Sequence, residues 1–225
     1  MPLTKPILAG ARPTERMIAC LGAAICIALT IVVCSRVPLH PADLPVIAAP
    51  LGASAVLVFA VPASPLAQPW SVVGGNTLSA LVGVAVSAFV PNLALVAGLA
   101  VGGAIVCMSL LRCLRPPGGA AALTAVIGGP AIHAAGFGYA ALPVGLNSAA
   151  LVLLGMLFHR ATGRSYPHRT LPAPAADPAT GLHFADIDAA LEEMHEGFDI
   201  SRDDLDSLLS RAESHAIARR SFTLR

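Results

Sequence analysis

What this sequence has least of is charge. Asp, Glu, Lys and Arg make up 12% of its 225 residues, and the 68 residues from Leu44 through Leu111 contain none of the four. Between Arg115 and Arg160 a further 44 residues pass without one. A water-soluble domain needs charged surface along its whole length, so a soluble fold is excluded, and the solvent that suits such runs is lipid. Acids are missing altogether from the apolar segments, which argues against holding a coupling proton or sodium ion on a buried carboxylate. Closely spaced cysteine pairs are missing too. Cys20, Cys26, Cys34, Cys107 and Cys113 lack zinc or iron-sulfur spacing and read as small packing residues. No membrane carboxylate pair, metal-ligand cluster or Gly-x-Ser-x-Gly elbow is present, so an enzyme is disfavoured, no cofactor or metal is expected, and nothing points to nucleic acid.

What is present is apolar residues, 56% of the chain, in six segments: 17 to 33, 44 to 62, 71 to 90, 93 to 111, 117 to 132 and 139 to 158. Four approach the roughly 20 residues a bilayer requires. The second carries Pro45 and Pro50 and stops at Pro62; the fifth is short and lies between Pro116-Pro117-Gly118-Gly119 and Gly128-Gly129-Pro130. Both read as broken or re-entrant. Lys5, Arg12 and Arg16 precede the first segment, but Cys34-Ser35-Arg36 follows it in place of a small-residue cleavage site, so it is expected to be retained as a span. With six crossings and a cytoplasmic N-terminus, every basic flank of residues 1 to 169 except Arg36 lies inside; with four, Arg112 and Arg115 move outside. The count favours six. Either way the C-terminus is cytoplasmic, at the inner (plasma) membrane.

The charges that exist are divided unevenly. Residues 1 to 176 hold nine basic groups and two acids, whereas 177 to 225 hold eleven acids and five basic groups. The expected domains are a membrane domain over 1 to 169, a Pro/Ala linker over 170 to 180 and an acidic helical tail over 181 to 225. In the tail, Phe184, Ile187, Leu191 and Met194 recur at helical spacing up to Gly197, and Ser201-Arg202-Asp203-Asp204 resembles a capping box that opens a second helix with Leu205, Leu208, Leu209 and Ala212 on its apolar side. These helices would form a short hairpin, either solvated or docked on the membrane domain or another subunit.

Two local patterns recur. Pro50-Leu51-Gly52-Ala53-Ser54-Ala55 and Pro117-Gly118-Gly119-Ala120-Ala121-Ala122 share Pro-x-Gly-Ala-x-Ala, and Val73-Gly74-Gly75-Asn76 is echoed by Val144-Gly145-Leu146-Asn147. The expected architecture is thus all-α, a polytopic bundle of two repeats of span, broken half-helix and span. With three crossings per unit the halves are inverted. Proline at a helix start with small residues behind it leaves the first N–H groups approachable, and two positive helix ends meeting near the midplane would suit a small anion. Close helix packing in lipid is the competing use of the same residues. The candidate binding residues are Gly52, Ala53, Ser54, Asn76, Arg115, Gly118, Gly119, Ala120 and Asn147, with Ser64, Gln68, Thr124 and His133 as further polar groups. Asn76 and Asn147 have the alternative of bonding helix to helix, and His133 that of lying in a loop. Arg115 either snorkels to the interface, meets an anion, or serves only to orient the chain.

The strings Pro50-Leu51-Gly52-Ala53-Ser54-Ala55-Val56-Leu57, Phe59-Ala60-Val61-Pro62-Ala63-Ser64-Pro65-Leu66-Ala67-Gln68-Pro69 and Arg115-Pro116-Pro117-Gly118-Gly119-Ala120 resemble the HPP family of integral membrane proteins over approximately residues 15 to 160. The resemblance implies several membrane segments. Some bacterial members continue into nucleotide-sensing CBS domains, for which this chain ends too soon, and plant plastid members are associated with nitrite transport. Arg115 stands where the family motif has its His, which keeps a cation and loses a group that titrates near neutrality. The functional expectation is a channel or facilitative transporter for a small inorganic anion, nitrite-like by resemblance, whose partners are the bilayer, the anion and, where subunits associate, a second copy. The alternative is a membrane scaffold or sensor that transports nothing and binds a partner through its tail.

Overall fold

The computed structural model describes residues 13–37, 45–169, 184–194 and 199–223. Lys5, Arg12, Asp43, Gly197 and the Pro/Ala linker of 170 to 180 lie outside the described residues. The first compact unit comprises Met1–Pro62 and Leu66–Pro167; the second comprises Ala63–Pro65 and His168–Arg225. Among the described residues every regular element is helical.

The first unit contains α1 (Pro13–Ser35), α2 (Pro50–Ala60), α3 (Pro69–Ser87), α4 (Leu93–Leu110), α5 (Pro116–Ile127), α6 (Pro130–Ala135), α7 (Phe137–Tyr139) and α8 (Asn147–Ala161). Prolines set most of these starts. A residue before proline is pushed towards extended backbone, and Gln68, Arg115 and Gly129 all adopt it, with ψ of 152, 143 and 176°. Ala49 before Pro50 is helical instead. The start of α4 is capped by Asn92, which accepts from the Leu95 N–H at 3.0 Å. Between α7 and α8 the backbone widens into a π turn over Ala140–Leu146 that holds Pro143. The wider turn tolerates the missing N–H and the ring that would strike the carbonyl one turn back in an α-helix.

Four apolar helices are long enough to cross a bilayer: Pro13–Ser35, Pro69–Ser87, Leu93–Leu110 and Phe137–Ala161. The two segments marked as broken are indeed short. At 11 and 12 residues, α2 and α5 reach about 16 and 18 Å at 1.5 Å per residue, against a hydrocarbon core of about 30 Å.

Close contacts give the helix directions. A Cβ at Gly75 would lie 2.9 Å from Arg115 Cγ, one at Gly118 2.7 Å from Ser79 Oγ, and one at Gly83 2.4 Å from the Ala122 carbonyl, so α3 and α5 run parallel. Gly75, Ser79 and Gly83 are spaced four apart, and this row of small residues lets the two backbones approach. In α2 and α8, Ala48 N–H reaches Asn147 and the Val58 carbonyl reaches His159, so these also run parallel. The α8 segment runs against α3, because Ser148 bonds Asn76, Gly145 lies on Thr77, and Tyr139 stands beside Thr124 further along. It follows that α2 and α5 point in opposite directions, and both begin beside adjacent residues of α3.

Three of the ten aromatic residues, Phe59, Phe158 and Tyr166, meet His159 where α2 and α8 end. Phe59 stacks on His159 at 5.5 Å, meets Phe158 edge-on at 5.5 Å, and His159 in turn lies 5.3 Å from Tyr166. Opposite them, Gly22 of α1 makes room for the Phe158 and Phe59 rings. All five cysteines are free; Cys26, Cys34 and Cys113 are buried as expected, Cys107 is half-buried, and Cys20 is exposed on α1.

The second unit holds α9 (Phe184–Met194) and α10 (Arg202–Thr223). Ser201 accepts from the Asp204 N–H at 3.1 Å, the expected cap, and Asp188 of α9 pairs with Arg202. The expected apolar side of the second helix is only partly buried. Leu208 is exposed at 57%, whereas Ser207 and Ser210 are buried, so the inward face of α10 is rotated away from the leucines. Ser64 donates to Asp199 at 2.7 Å, and His168 bonds Asp204 at 2.9 Å, which ties the Ala63–Pro65 segment and the start of the tail to the residues before and within α10.

Gly83→Ala should lower the melting temperature in detergent, by the equivalent of about 1–3 kcal/mol, because its Cβ would overlap backbone that cannot swing away. Gly98→Ala, on an exposed face with nothing within 4 Å of the new Cβ, should leave it unchanged or raise it. Equal behaviour of the two variants in differential scanning fluorimetry would contradict this packing.

Candidate functional site

The second turn of α3 carries two neighbouring polar places, and the sequence explains why both are buried there. Gly75 has no side chain, so the turn into α5 can close over the backbone there, Gly74 makes room for the Trp70 ring of its own helix, and Asn76 is fully covered. Its amide nitrogen donates to Ser54 of α2 at 3.1 Å and to Ser148 of α8 at 3.0 Å. The Ser54 hydroxyl gives its own proton to the Pro50 carbonyl at 3.0 Å, so it can only accept from Asn76. Asn147, also fully buried, accepts from the Ala48 N–H at 3.1 Å and so supplies the entry to α2, which has no side-chain cap of its own. The two asparagines therefore do bond helix to helix. Asn76 also retains an unused group, since its Oδ1 finds no partner among the described residues, whereas the Asn147 amide also meets the Cys34 side chain of α1.

One residue back, the Arg115 stem lies against Gly75, where a Cβ would meet Arg115 Cδ at 2.8 Å and the Cys113 carbonyl at 2.6 Å. The turn that delivers Arg115 is set by the end of α4. Cys113 N–H bonds the Met108 carbonyl at 2.9 Å and Arg112 N–H the Ser109 carbonyl at 3.2 Å, a Schellman closure in which Arg112 takes the left-handed φ of 53°. Trp70 anchors this turn to α3, donating to the Leu111 carbonyl at 3.0 Å. The guanidinium is 1% exposed, and Nε, Nη1 and Nη2 all lack partners among the described residues. It does not snorkel.

A cation in that state is expensive. Burying an ion without its counter-charge costs several kcal/mol even after relaxation, and here it caps the positive end of α5, where the helix dipole adds repulsion. Among the described residues no acid relieves the field around it. Burial pushes the Tyr166 phenol up from its ordinary value while the nearby Arg115 charge pulls it down, and the phenol remains a donor, to the Ala67 carbonyl at 2.8 Å. Ser79, also fully buried, has a hydroxyl with no partner among the described residues, next to Gly118. Arg115 and Ser79 together present donors and no counter-charge, an arrangement that attracts an anion.

Of the residues proposed from sequence, Ser54, Asn76 and Asn147 meet in one buried cluster, and Arg115 with Gly118 stands beside it across α3. The remaining four do not join them. Gly52, Ala53 and Ala120 are exposed, a Cβ at Gly52 would meet nothing within 4 Å, and Gly119 is half-buried near Val101. The reason is rotational: an 11-residue helix that turns Ser54 inward turns Gly52 and Ala53 outward. The other polar groups serve locally. Gln68 donates to the Pro62 carbonyl, Thr124 to the Ala120 carbonyl, and His133, in α6 rather than a loop, lies 3.0 Å from the Val126 carbonyl. Sequence reading missed Ser79, Ser148, Tyr139 and Tyr166. Ser79 lies one helical turn after Asn76 and Ser148 directly follows Asn147, so both were within reach of a periodicity argument. The tyrosines were not, because folding alone brings them in.

Four span-length apolar helices and two short ones, closed around buried polar groups, define a polytopic helical membrane protein. Residues 9–167 match the family model described as HPP, transmembrane region, and the chain belongs to the HPP family. Two transmembrane proteins of Dictyostelium discoideum are similar to it. One is 39% identical over 132 residues, 56% of this chain and 46% of that protein; the other is 39% identical over 120 residues, 51% and 38% respectively. The chain thus spans less than half the length of each. No solved structure matches.

If the unpartnered guanidinium is an anion site, Arg115→Met should keep or raise the melting temperature in anion-poor detergent, because it removes an unpaired buried charge. Added nitrite, nitrate, formate or chloride should stabilise the original protein, by about 2.7 kcal/mol at 100 times the dissociation constant, and leave the variant unmoved. Equal shifts in both proteins would place any bound anion elsewhere.

Proposed function

We propose that this protein is a channel or facilitative transporter for a small inorganic anion, with its site where α2 and α5 begin. The observation that carries this reading is Arg115, a guanidinium 1% exposed with three nitrogens lacking partners among the described residues. A soluble anion entering that place would convert an energetic liability into charge-assisted hydrogen bonds. Acids in that place would repel an anion, whereas one cation with neutral donors beside it can admit the ion and still release it.

Helix direction supports the finer architecture. With α1 running against α8, as the Gly22–Phe158 and Cys34–Asn147 contacts indicate, and α8 against α3, the long helices α1 and α3 are parallel, so α2 must carry the chain back between them. By the same logic α5 returns the chain between α4 and α8. The unit is then two inverted halves of span, half-helix and span, with six passes and both ends of the chain in the cytoplasm of a plasma-membrane protein. The acidic tail forms a helical hairpin on that side. The solute is nitrite-like in size and charge.

Proteoliposomes test this directly. Nitrite, nitrate, formate or chloride should cross faster than in protein-free vesicles, and Arg115→Gln should slow entry, more so at low ionic strength, where the charge is least screened. Failure of all four anions to exceed the protein-free rate ends the transport reading.

A further inference from the structure

The string Ser64-Pro65-Leu66-Ala67-Gln68-Pro69 carries much of the family resemblance, and the anion site makes no use of it. It joins α2 to α3, and it is stiff. Pro62, Pro65 and Pro69 fix φ at three places in eight residues, a 3₁₀ turn runs over Pro65–Ala67, and Gln68 closes the loop by donating to the Pro62 carbonyl at 3.1 Å. Within the first unit, Tyr166 holds the end of this turn by donating to the Ala67 carbonyl at 2.8 Å. A connector built in this way passes a pull on its middle to both of its ends.

That middle is held by a distant part of the chain. Ala63–Pro65 belongs to the second compact unit, although Pro62 and Leu66 on either side belong to the first. Within the second unit the buried Ser64 hydroxyl donates to Asp199, an exposed carboxylate 135 residues further on, at 2.7 Å. A hydroxyl bonded to a carboxylate makes a charge-assisted contact, stronger than a neutral one. Asp199 stands two residues before Ser201, the cap of α10, and Asp204, which that cap orients, bonds His168 at 2.9 Å. The start of α10 thus grips the chain at both points where it passes into the second unit, and the cap and the Asp188–Arg202 pair fix where that helix begins.

We infer that the tail is a clamp on the α2–α3 connector, one that restrains α2 and so holds down the rate of anion movement. This rests on the anion-transport reading and adds regulation to it. Arg115 is closed off from water, so an ion reaches and leaves it only when the elements around it part. One of those elements is α2, whose Ser54 accepts from Asn76, the neighbour of the glycine that Arg115 lies against. From the end of α2 at Ala60 a few stiff residues lead to Ser64. While Asp199 keeps Ser64, α2 tilts or slides only by bending the connector or breaking that hydrogen bond. A tail drawn away frees it.

Ser64→Ala and Asp199→Ala remove the bond from its two sides, and the double variant shows whether they act through one contact. In hydrogen-deuterium exchange of the full chain in detergent, the amides of 63 to 67 should exchange about tenfold faster in each single variant, the order expected for one lost hydrogen bond to a charged group, and no faster in the double. Asp203→Ala, which takes an equal exposed charge from the first turn of α10, should leave exchange unchanged. In proteoliposomes loaded in turn with nitrite, nitrate, formate and chloride, the variants that loosen the connector should raise the fastest flux several-fold, and Asp203→Ala should not. Unchanged exchange, or gains that add in the double variant, overturns the clamp whatever the flux does. Faster exchange with unaltered flux, in a protein that conducts and that Arg115→Gln slows, overturns the regulation and leaves the Arg115 site standing. If the unmodified protein moves none of the four anions, the transport reading fails and the regulation with it, and exchange alone decides whether the clamp contact exists.

Discussion

A guanidinium shut inside an apolar bundle imposes the constraint on which the rest of this structure turns. Arg115 could have reached water, since its stem is long and α5 begins at a chain turn, yet it is 1% exposed, with its stem laid against Gly75 beside the Cys113 carbonyl. Keeping it there requires a rigid frame. Trp70 pins the α4–α5 turn to α3, the Schellman closure at Arg112 fixes where the turn points, and the small-residue row of α3 holds α5 at backbone contact. Each of these devices would be unnecessary for a topogenic arginine lying at the interface.

The same glycines answer both of the uses that small residues have in lipid. Gly75, Ser79 and Gly83 pack α3 on α5, which is the packing role, but packing alone does not leave hydroxyls and amides unpaired. Asn76 shows the same double employment. It ties α3 to α2 and α8 through its amide nitrogen and leaves Oδ1 without a partner among the described residues, while Asn147 holds the Ala48 N–H and meets Cys34. Structure and binding are therefore not rival accounts of these residues, because an amide has more hydrogen-bonding capacity than one helix contact consumes.

The second unit follows different physics. Its helices are polar, Leu208 remains exposed, and what orders the described part is a cap at Ser201 with ion pairs at Asp188–Arg202 and His168–Asp204. Such contacts are weak one by one, in contrast to the close packing of α3 on α5. The composition already divided the chain this way, since acids are confined almost wholly to residues after 176.

Much of the membrane unit was legible because lipid constrains composition so strongly. Uncharged runs located the four long helices, and proline and glycine located the breaks, since a missing N–H or side chain acts within a turn of where it stands. The recurrence of Pro-x-Gly-Ala-x-Ala pointed to both helix starts near the polar cluster, and Ser54, Asn76 and Asn147 were readable as its members, with Arg115 beside it. Which way a short helix rotates was not readable. Gly52, Ala53 and Ala120 face outward because a helix with low amphipathicity has no strong sequence signal for its inward side, and its neighbours choose the face. Nor could the sequence alone show that Tyr139 and Tyr166 close on residues far from them in the chain, or that Arg115 is sealed from water. Those outcomes depend on how six helices pack in three dimensions, and local residue order carries no direct record of such contacts.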